Sequence, residues 1–240
     1  MTSFENRLLA VANGNEATKN LISQEQASIF EKLSSHMLEV NKALNLTAIR
    51  DENGVILKHF VDSVAVLPYI NGTSLADIGC GGGFPSLPIA ILRGDVSVFA
   101  VDSVSKKVNY VKETAKLLGL DNVSVSNERA EVLGQGEKRE AFQTVVARAV
   151  GKLNLLCELC LPLVCVGGVF LSMKAVTTSE EVEEARGAIS LLGGKLEKVI
   201  EYELTDGQET ISRSIVVIRK ISKTPPQYPR NNSQIAKKPL

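Results

Sequence analysis

The run Asp77-Ile78-Gly79-Cys80-Gly81-Gly82-Gly83-Phe84-Pro85 constrains this chain more than any other segment. It lies directly after the apolar stretch Leu75-Ala76-Asp77-Ile78 and directly before a helix-like segment at 85–92. Glycines in a strand-to-helix turn permit positive φ and let a ligand lie against backbone that a Cβ would obstruct. Pro85 suits a first helical turn, where its missing N–H would have been unpaired anyway. The run therefore predicts a βα unit whose turn meets a ligand. After the Asn71-Gly72 turn, short apolar runs alternate with amphipathic ones, the pattern of repeated βα units and a parallel sheet. Strands are expected at 75–78, 96–102, 123–127, 144–148 and 168–173, with helices at 85–92, 105–118, 129–133, 153–161 and 179–192. Two further strands, 196–204 and 211–219, flank Thr205-Asp206-Gly207-Gln208 and read as an antiparallel hairpin. The expected fold is α/β: a seven-stranded, mostly parallel Rossmann-like sheet with an antiparallel last strand. Strand order is not legible at this level.

Ahead of the sheet, Ala27, Phe30, Leu33, Met37 and Val40 recur at three- and four-residue intervals, which predicts an amphipathic helix from 24 that continues through Ile49. A second helix is expected from 53 to 67, with Val55, Ile56, His59, Phe60 and Val64 on one face and Pro68 as its stop. This gives a helical extension over 1–70 packed on a core at 71–222, then a basic tail at 223–240, all in one structural unit. At 240 residues, 44% hydrophobic and 22% charged, the chain can bury a core without staples and is not a disordered protein. The first residues show no basic segment followed by an apolar one, so a cytoplasmic protein is expected. The greasiest stretch, 153–173, is broken by Glu158, Pro162 and Gly167-Gly168, so no membrane span is expected.

Cys157-Glu158-Leu159-Cys160 has the C-x-x-C form, but Cys80 and Cys165 do not supply a second pair and the only histidines are His36 and His59. Cys157, Cys160 and Cys165 are read as small buried apolar residues, and no metal is expected. The chain is neutral overall, yet Arg213, Arg219, Lys220, Lys223, Arg230, Lys237 and Lys238 fall in 211–240 with no acid. That end either suits a phosphate-rich partner or simply solvates the chain.

A glycine turn of this kind can serve a dinucleotide or another nucleoside ligand. An acidic residue two positions before the first glycine, Asp77, is the form found in methyltransferases, where the carboxylate organises the loop near the methionine ammonium. Asp102 ends the second strand, 23 residues after Gly79, where a carboxylate can accept from both ribose hydroxyls. A helix cap is the plainer role for an Asp at that place. Ala130 and Glu131, after the third strand, are candidates to read the adenine edge or to form an exposed first helical turn.

Taken in order, several blocks resemble the RsmG methyltransferases, also called glucose-inhibited division protein B. These are Asn45-Leu46-Thr47-Ala48-Ile49, Lys58-His59-Phe60-Val61-Asp62-Ser63, the glycine loop, Val101-Asp102-Ser103 with Lys106-Lys107, Val146-Ala147-Arg148-Ala149-Val150, Met173-Lys174, and the tail from Thr224 with its terminal Pro239-Leu240. Cys80-Gly81-Gly82 and Ser86 depart from residues common in that family. The resemblance implies a class I S-adenosylmethionine-dependent enzyme that methylates N7 of a guanosine, position 527, in the 530 loop of 16S rRNA, acting as a monomer on 16S rRNA or the small ribosomal subunit. It implies a cofactor site of Asp77, Gly79, Gly81, Phe84, Asp102, Ser103, Val104, Ala130, Glu131 and Arg148. Arg148 and Lys174, at the ends of their strands, are the candidate catalytic residues, against the plainer roles of a buried ion pair and a solvated lysine. His59 is expected to fix the N-terminal helices to the domain rather than to transfer protons, and Asn45 and Asp62 are ambiguous. Lys106, Lys107 and the tail cations are expected to hold RNA backbone. The chain lacks both the Asp/Asn-Pro-Pro-Tyr motif of adenine-N6 enzymes and a Pro-Cys pair after the fourth strand. Another RNA, a small molecule, or a non-catalytic role on rRNA stays open.

Overall fold

The computed structural model describes residues 1–148 and 151–240; Ala149 and Val150 of the fourth-strand motif lie outside them. Seven strands form one sheet: β1 (Ser74–Ile78), β2 (Ser97–Val101), β3 (Val123–Ser126), β4 (Phe142–Arg148), β5 (Val164–Lys174), β6 (Gly194–Thr205) and β7 (Thr210–Lys220). Their order is β3-β2-β1-β4-β5-β7-β6. The first five are parallel, and β7 runs antiparallel to both β5 and β6. This is the expected mostly parallel sheet with a reversed last strand. The chain works outward from β1 to β3 and then returns to the other side of β1, which opens a crevice at the carboxyl ends of β1 and β4. Gly79 and Arg148 sit at that crevice.

Successive residues alternate between two buried faces. Ala76, Ile78, Val145, Ala147, Phe170, Val216 and Ile218 face one core, and Leu75, Val98, Val146, Val169, Leu171, Ile215 and Val217 face the other. Burial on both sides explains why these strands read as nearly continuous apolar runs.

Helix α1 (Ser3–Gly14) and helix α2 (Gln24–Leu44) start on reciprocal caps, Thr2 with Glu5 and Ser23 with Gln26. They bury Phe4, Leu8 and Ala12, and Phe30, Leu33 and Met37. Asn15 ties the end of α1 to β6: its Nδ2 donates to the Thr205 carbonyl at 2.8 Å, and its Oδ1 accepts from the Thr205 N–H at 2.7 Å. The α2 helix does not reach Ile49. It stops at Leu44 because Asn45 takes the left-handed conformation, φ 49°, which Asn tolerates. The Asn41 side chain then holds the following loop, donating to the Thr47 carbonyl at 2.9 Å and accepting from its N–H at 3.0 Å.

The next helical run is α3 (Glu52–Gly54), a π-helical stretch (Val55–Val61) and α4 (Asp62–Val64). It ends before Pro68, which sits in a separate 3₁₀ turn, Leu67–Tyr69. Helices α5 (Ser86–Leu92) and α6 (Ser105–Leu118) join these N-terminal elements, α5 contributing Leu87 and Ile91 and α6 contributing Tyr110 and Val111 to their shared core. Helices α7 (Ala130–Gln135), α8 (Leu153–Cys160) and α9 (Ser179–Leu191) cover the opposite face of the sheet.

A last helix, α10 (Asn232–Lys237), packs back on the body, with Ile235 fully buried. Four of the cations in 211–240 are engaged internally: Arg213 with Asp62, Arg219 with Glu197, Lys220 with Glu140 and Arg230 with Glu158. Cys157 and Cys160 are buried in α8, and burial pushes both thiols upward. Cys165 is only half-buried, contrary to expectation, because β5 begins at Val164 and its first residues run out to exposed Val166 and Gly167. Among the described residues no group of acidic, His or Cys side chains suits a metal, and no helix is long and apolar enough to cross a membrane.

Candidate functional site

The glycine loop hangs from the end of β2, since the N–H groups of Gly79 and Cys80 both donate to the Val101 carbonyl, at 2.8 and 2.9 Å. Gly79, Gly81 and Gly83 all have positive φ. A Cβ on Gly83 would lie 2.5 Å from Leu87 Cδ1, whereas one on Gly81 would meet nothing closer than 4.0 Å. Gly83 is thus required by packing, and Gly81 leaves open space for a ligand.

Asp77 is fully buried beneath this loop. Its Oδ2 accepts from the Ser86 N–H at 3.1 Å and from the Ser86 hydroxyl, while its Oδ1 has no partner. Burial raises the carboxyl to about 6, against the opposing pull of Ser86 and Arg148. A buried carboxylate oxygen without a donor fits a cationic ligand group such as an ammonium.

Two cavities open beside the loop. The larger, about 580 Å³, runs along Ile78, Gly79, Asp102, Ser103, Val104, Ala130 and Glu131. Asp102 Oδ2 accepts from the Gly81 N–H at 3.0 Å and its Oδ1 from the Val104 N–H at 2.9 Å. The carboxylate therefore pins the glycine loop to the turn before α6 and lines the cavity as well; it does not cap α6, whose N-cap is Val104 with no side-chain cap. Val104 is an exposed apolar residue, and Glu131 is held by Arg129 at 2.6 Å. This set fits a nucleoside: one carboxylate for vicinal hydroxyls and an apolar rim for a flat base.

The smaller cavity, about 380 Å³, lies between the glycine loop and the N-terminal helices, and includes Thr47, Lys58, His59, Asp62, Phe84, Arg148, Lys174 and Arg213. The two cavities share Gly79 and Arg148. Arg148 Nη1 donates to the Lys58 carbonyl at 3.0 Å and to Asp62 Oδ2 at 3.1 Å, and its guanidinium lies 5.7 Å from the Phe84 ring centre. Asp62 also receives Arg213 Nε at 3.0 Å. Arg148 is thus both the ion-pair anchor of the helical run and a wall of the crevice. His59 stacks on Phe84, with ring centres 4.5 Å apart and planes 6° from parallel, and its Nε2 contacts the Thr47 hydroxyl at 2.9 Å. Burial, then the nearby Arg148 charge, lowers the imidazole to about 3.

Lys174 donates to the Gly151 carbonyl at 2.9 Å and pairs with Glu181. Lys107 stands 4.0 Å from Asp102, and Lys106 donates to the Leu44 carbonyl at 3.3 Å. Of the residues assigned to one cofactor site from sequence, Phe84 and Gly81 line the smaller cavity and Asp77 lies below both. Sequence reading gave no role to Thr47, Lys58 or Arg213 in the smaller cavity, nor to Leu155, Leu159 or Asn232 in the larger. Thr47 and Lys58 fall inside recognisable motifs. Arg213 carries no local signal, because only the pairing of β7 with β5 brings it to Asp62.

A family model described as GidB, rRNA small subunit methyltransferase G, matches residues 26–215. The chain belongs to this family. It is 41% identical to a ribosomal RNA small subunit methyltransferase G of Staphylococcus saprophyticus, over 91% of this chain and 92% of that protein. The protein of the same name from Pelotomaculum thermopropionicum is 44% identical, over 92% and 93%. A solved precorrin-6y C5,15-methyltransferase of Geobacter metallireducens shares the fold, with a TM-score of 0.50 at 16% identity over 74% of this chain and 92% of that one. In this member of the small subunit methyltransferase G family, the glycine loop and the smaller cavity fall within the matched residues, as does the larger cavity except for Asn232, and α1 and α10 fall outside them.

Proposed function

We propose that the chain transfers a methyl group from S-adenosylmethionine to N7 of guanosine 527 in the 530 loop of 16S rRNA, within naked rRNA or the small subunit. The observation that carries this reading is the meeting of a nucleoside-sized cavity and a second, cation-lined cavity at Gly79 and Arg148. When bound, the cofactor supplies a methyl group on a cationic sulfur. Asp77 Oδ1 would accept from its ammonium, and Asp102 from its ribose hydroxyls. The side chains of the smaller cavity would hold the guanine.

Guanine N7 has an in-plane lone pair and no proton, so its methylation needs no general base. The site supports that economy. His59 is the only histidine at either cavity, and an imidazole lowered to about 3 is too weak a base to take a proton near neutral pH. Arg148 keeps its Nε–H free of any described partner, which suits it to donate to the guanine O6 beside N7. Lys174, close by, can act on the same edge or on a phosphate. Catalysis then rests on holding the nitrogen in line with the methyl group, an effect worth roughly 7–11 kcal/mol at its fullest.

The decisive experiment is labelled-methyl transfer to small subunits and 16S rRNA from cells lacking this gene, followed by strand scission selective for N7-methylguanosine. One new scission in the 530 loop is expected. Label without that scission would remove the N7 assignment, and cofactor binding without label would remove the acceptor.

A further inference from the structure

We propose that Asn232, at the start of α10 on the C-terminal segment, is a further binding residue for the base of the nucleoside donor. This rests on the cofactor reading above. Leu155 and Leu159, one turn apart on α8, line the cavity together with Asn232 of α10. Two leucines can hold a flat ring by contact area but cannot tell one base from another, so selection requires a hydrogen-bonding group at the ring edge. A carboxamide offers a donor and an acceptor side by side, matching a ring nitrogen and an adjacent amino group of adenine.

Asn232 is available for that task. Its side chain bonds to no described residue, because the neighbouring Asn231 caps α10: Asn231 Oδ1 accepts from the Gln234 N–H at 3.0 Å. The segment that carries Asn232 is also fixed in place. Glu158, fully buried on α8, receives Arg230 Nε at 2.7 Å, Nη2 at 2.6 Å and the Arg230 backbone N–H at 3.0 Å. This latch ties the segment to the helix that carries both leucines. Ile235 is buried behind it, and Asn154 Nδ2 donates to the Leu240 carbonyl at 3.0 Å. Arg230 is therefore a positioning residue, and Asn232 touches the ligand.

The test is calorimetric titration of the full chain with S-adenosylhomocysteine, joined to hydrogen exchange over 228–238. Asn232→Ala is expected to raise Kd about ten-fold without moving the melting temperature of the unliganded protein, since the side chain is exposed. In the wild type, the ligand is expected to slow exchange in 228–238. Equal Kd for wild type and Asn232→Ala, or no change in exchange on binding, overturns the proposal and leaves the cofactor reading intact. A folded wild type that does not bind S-adenosylhomocysteine overturns both.

Discussion

Asp77 and His59 are buried ionisable side chains pushed in opposite pH senses. Asp77 has its folded value raised, from 3.8 to about 6, so its favourable contribution is complete below about pH 4 and is lost as pH rises through 6. Above that, the unliganded protein carries a buried carboxylate with an unpaired oxygen, a cost of about 1–3 kcal/mol. Asp77→Asn should therefore melt higher than wild type at pH 7.5 without ligand, yet fail to bind S-adenosylhomocysteine. In the wild type, binding of that ligand should weaken as pH falls below 6, and calorimetry in buffers of different ionisation enthalpy would show proton release. A variant that melts lower and binds normally would refute the role given to the unpaired oxygen. His59 is the reverse case. Its folded value falls from 6.5 to about 3, so the stability it contributes is present above pH 6.5 and drains away as pH falls toward 3. Replacing it with Gln should flatten the acid limb of the stability profile, making the mutant's loss between pH 7 and 4 about 2–3 kcal/mol smaller than that of wild type. Parallel profiles from denaturant melts would contradict this.

At the scale of elements, the glycine loop separates packing from binding. Gly83→Ala forces a methyl into Leu87 at a positive φ and should cost about 2–4 kcal/mol or prevent folding. Gly81→Ala has room for its Cβ and should lose about 1 kcal/mol of stability, while weakening S-adenosylhomocysteine binding at least ten-fold. Equal loss of stability in both variants would remove the distinction. This loop was readable in the sequence because its chemistry is local: strand, turn and helix lie side by side in the chain. The same holds for α6, found at the predicted bounds, and for the β6–β7 hairpin. The misread parts depend on competition or distance. The spacing of apolar residues carried α2 five residues too far, because periodicity does not register that Asn45 can turn left-handed or that Asn41 can satisfy the loop backbone. Helices α1 and α10 escaped notice, although Thr2 with Glu5 and Asn231 with Gln234 are capping pairs that a search for such spacings would find. Of the site, Asp77, Asp102 and Arg148 were legible as strand-end residues. Arg213 and Asn232 were not, since each reaches its cavity only through the tertiary path of a distant segment.

For the molecule as a whole, the basic bias of 211–240 is smaller than the composition suggests. Four of its cations are matched internally, which leaves Lys223, Lys237 and Lys238 without an ion pair to a described residue. Lys237 and Lys238 are exposed beyond the Arg230 latch. Their joint replacement by Ala should weaken RNA binding and shrink the dependence of affinity on salt by roughly one to two units of slope, with S-adenosylhomocysteine affinity unchanged. An identical salt slope in the double mutant would show that the RNA lies elsewhere. The closure between Asn15 and Thr205 acts on the same global scale, because it joins residues 190 apart in the chain. During synthesis α1 emerges early, displaying Phe4 and Leu8, while the strand that fastens its end has yet to be made. Loop closure over that distance makes the fastening of α1 to β6 a late event in folding, whereas its packing on α2 and Phe60 involves only nearby chain. Until β6 is made, α1 rests on the helical extension alone, so a chain stopped before Thr205 keeps the α1–α2 contact and lacks the clasp at Asn15.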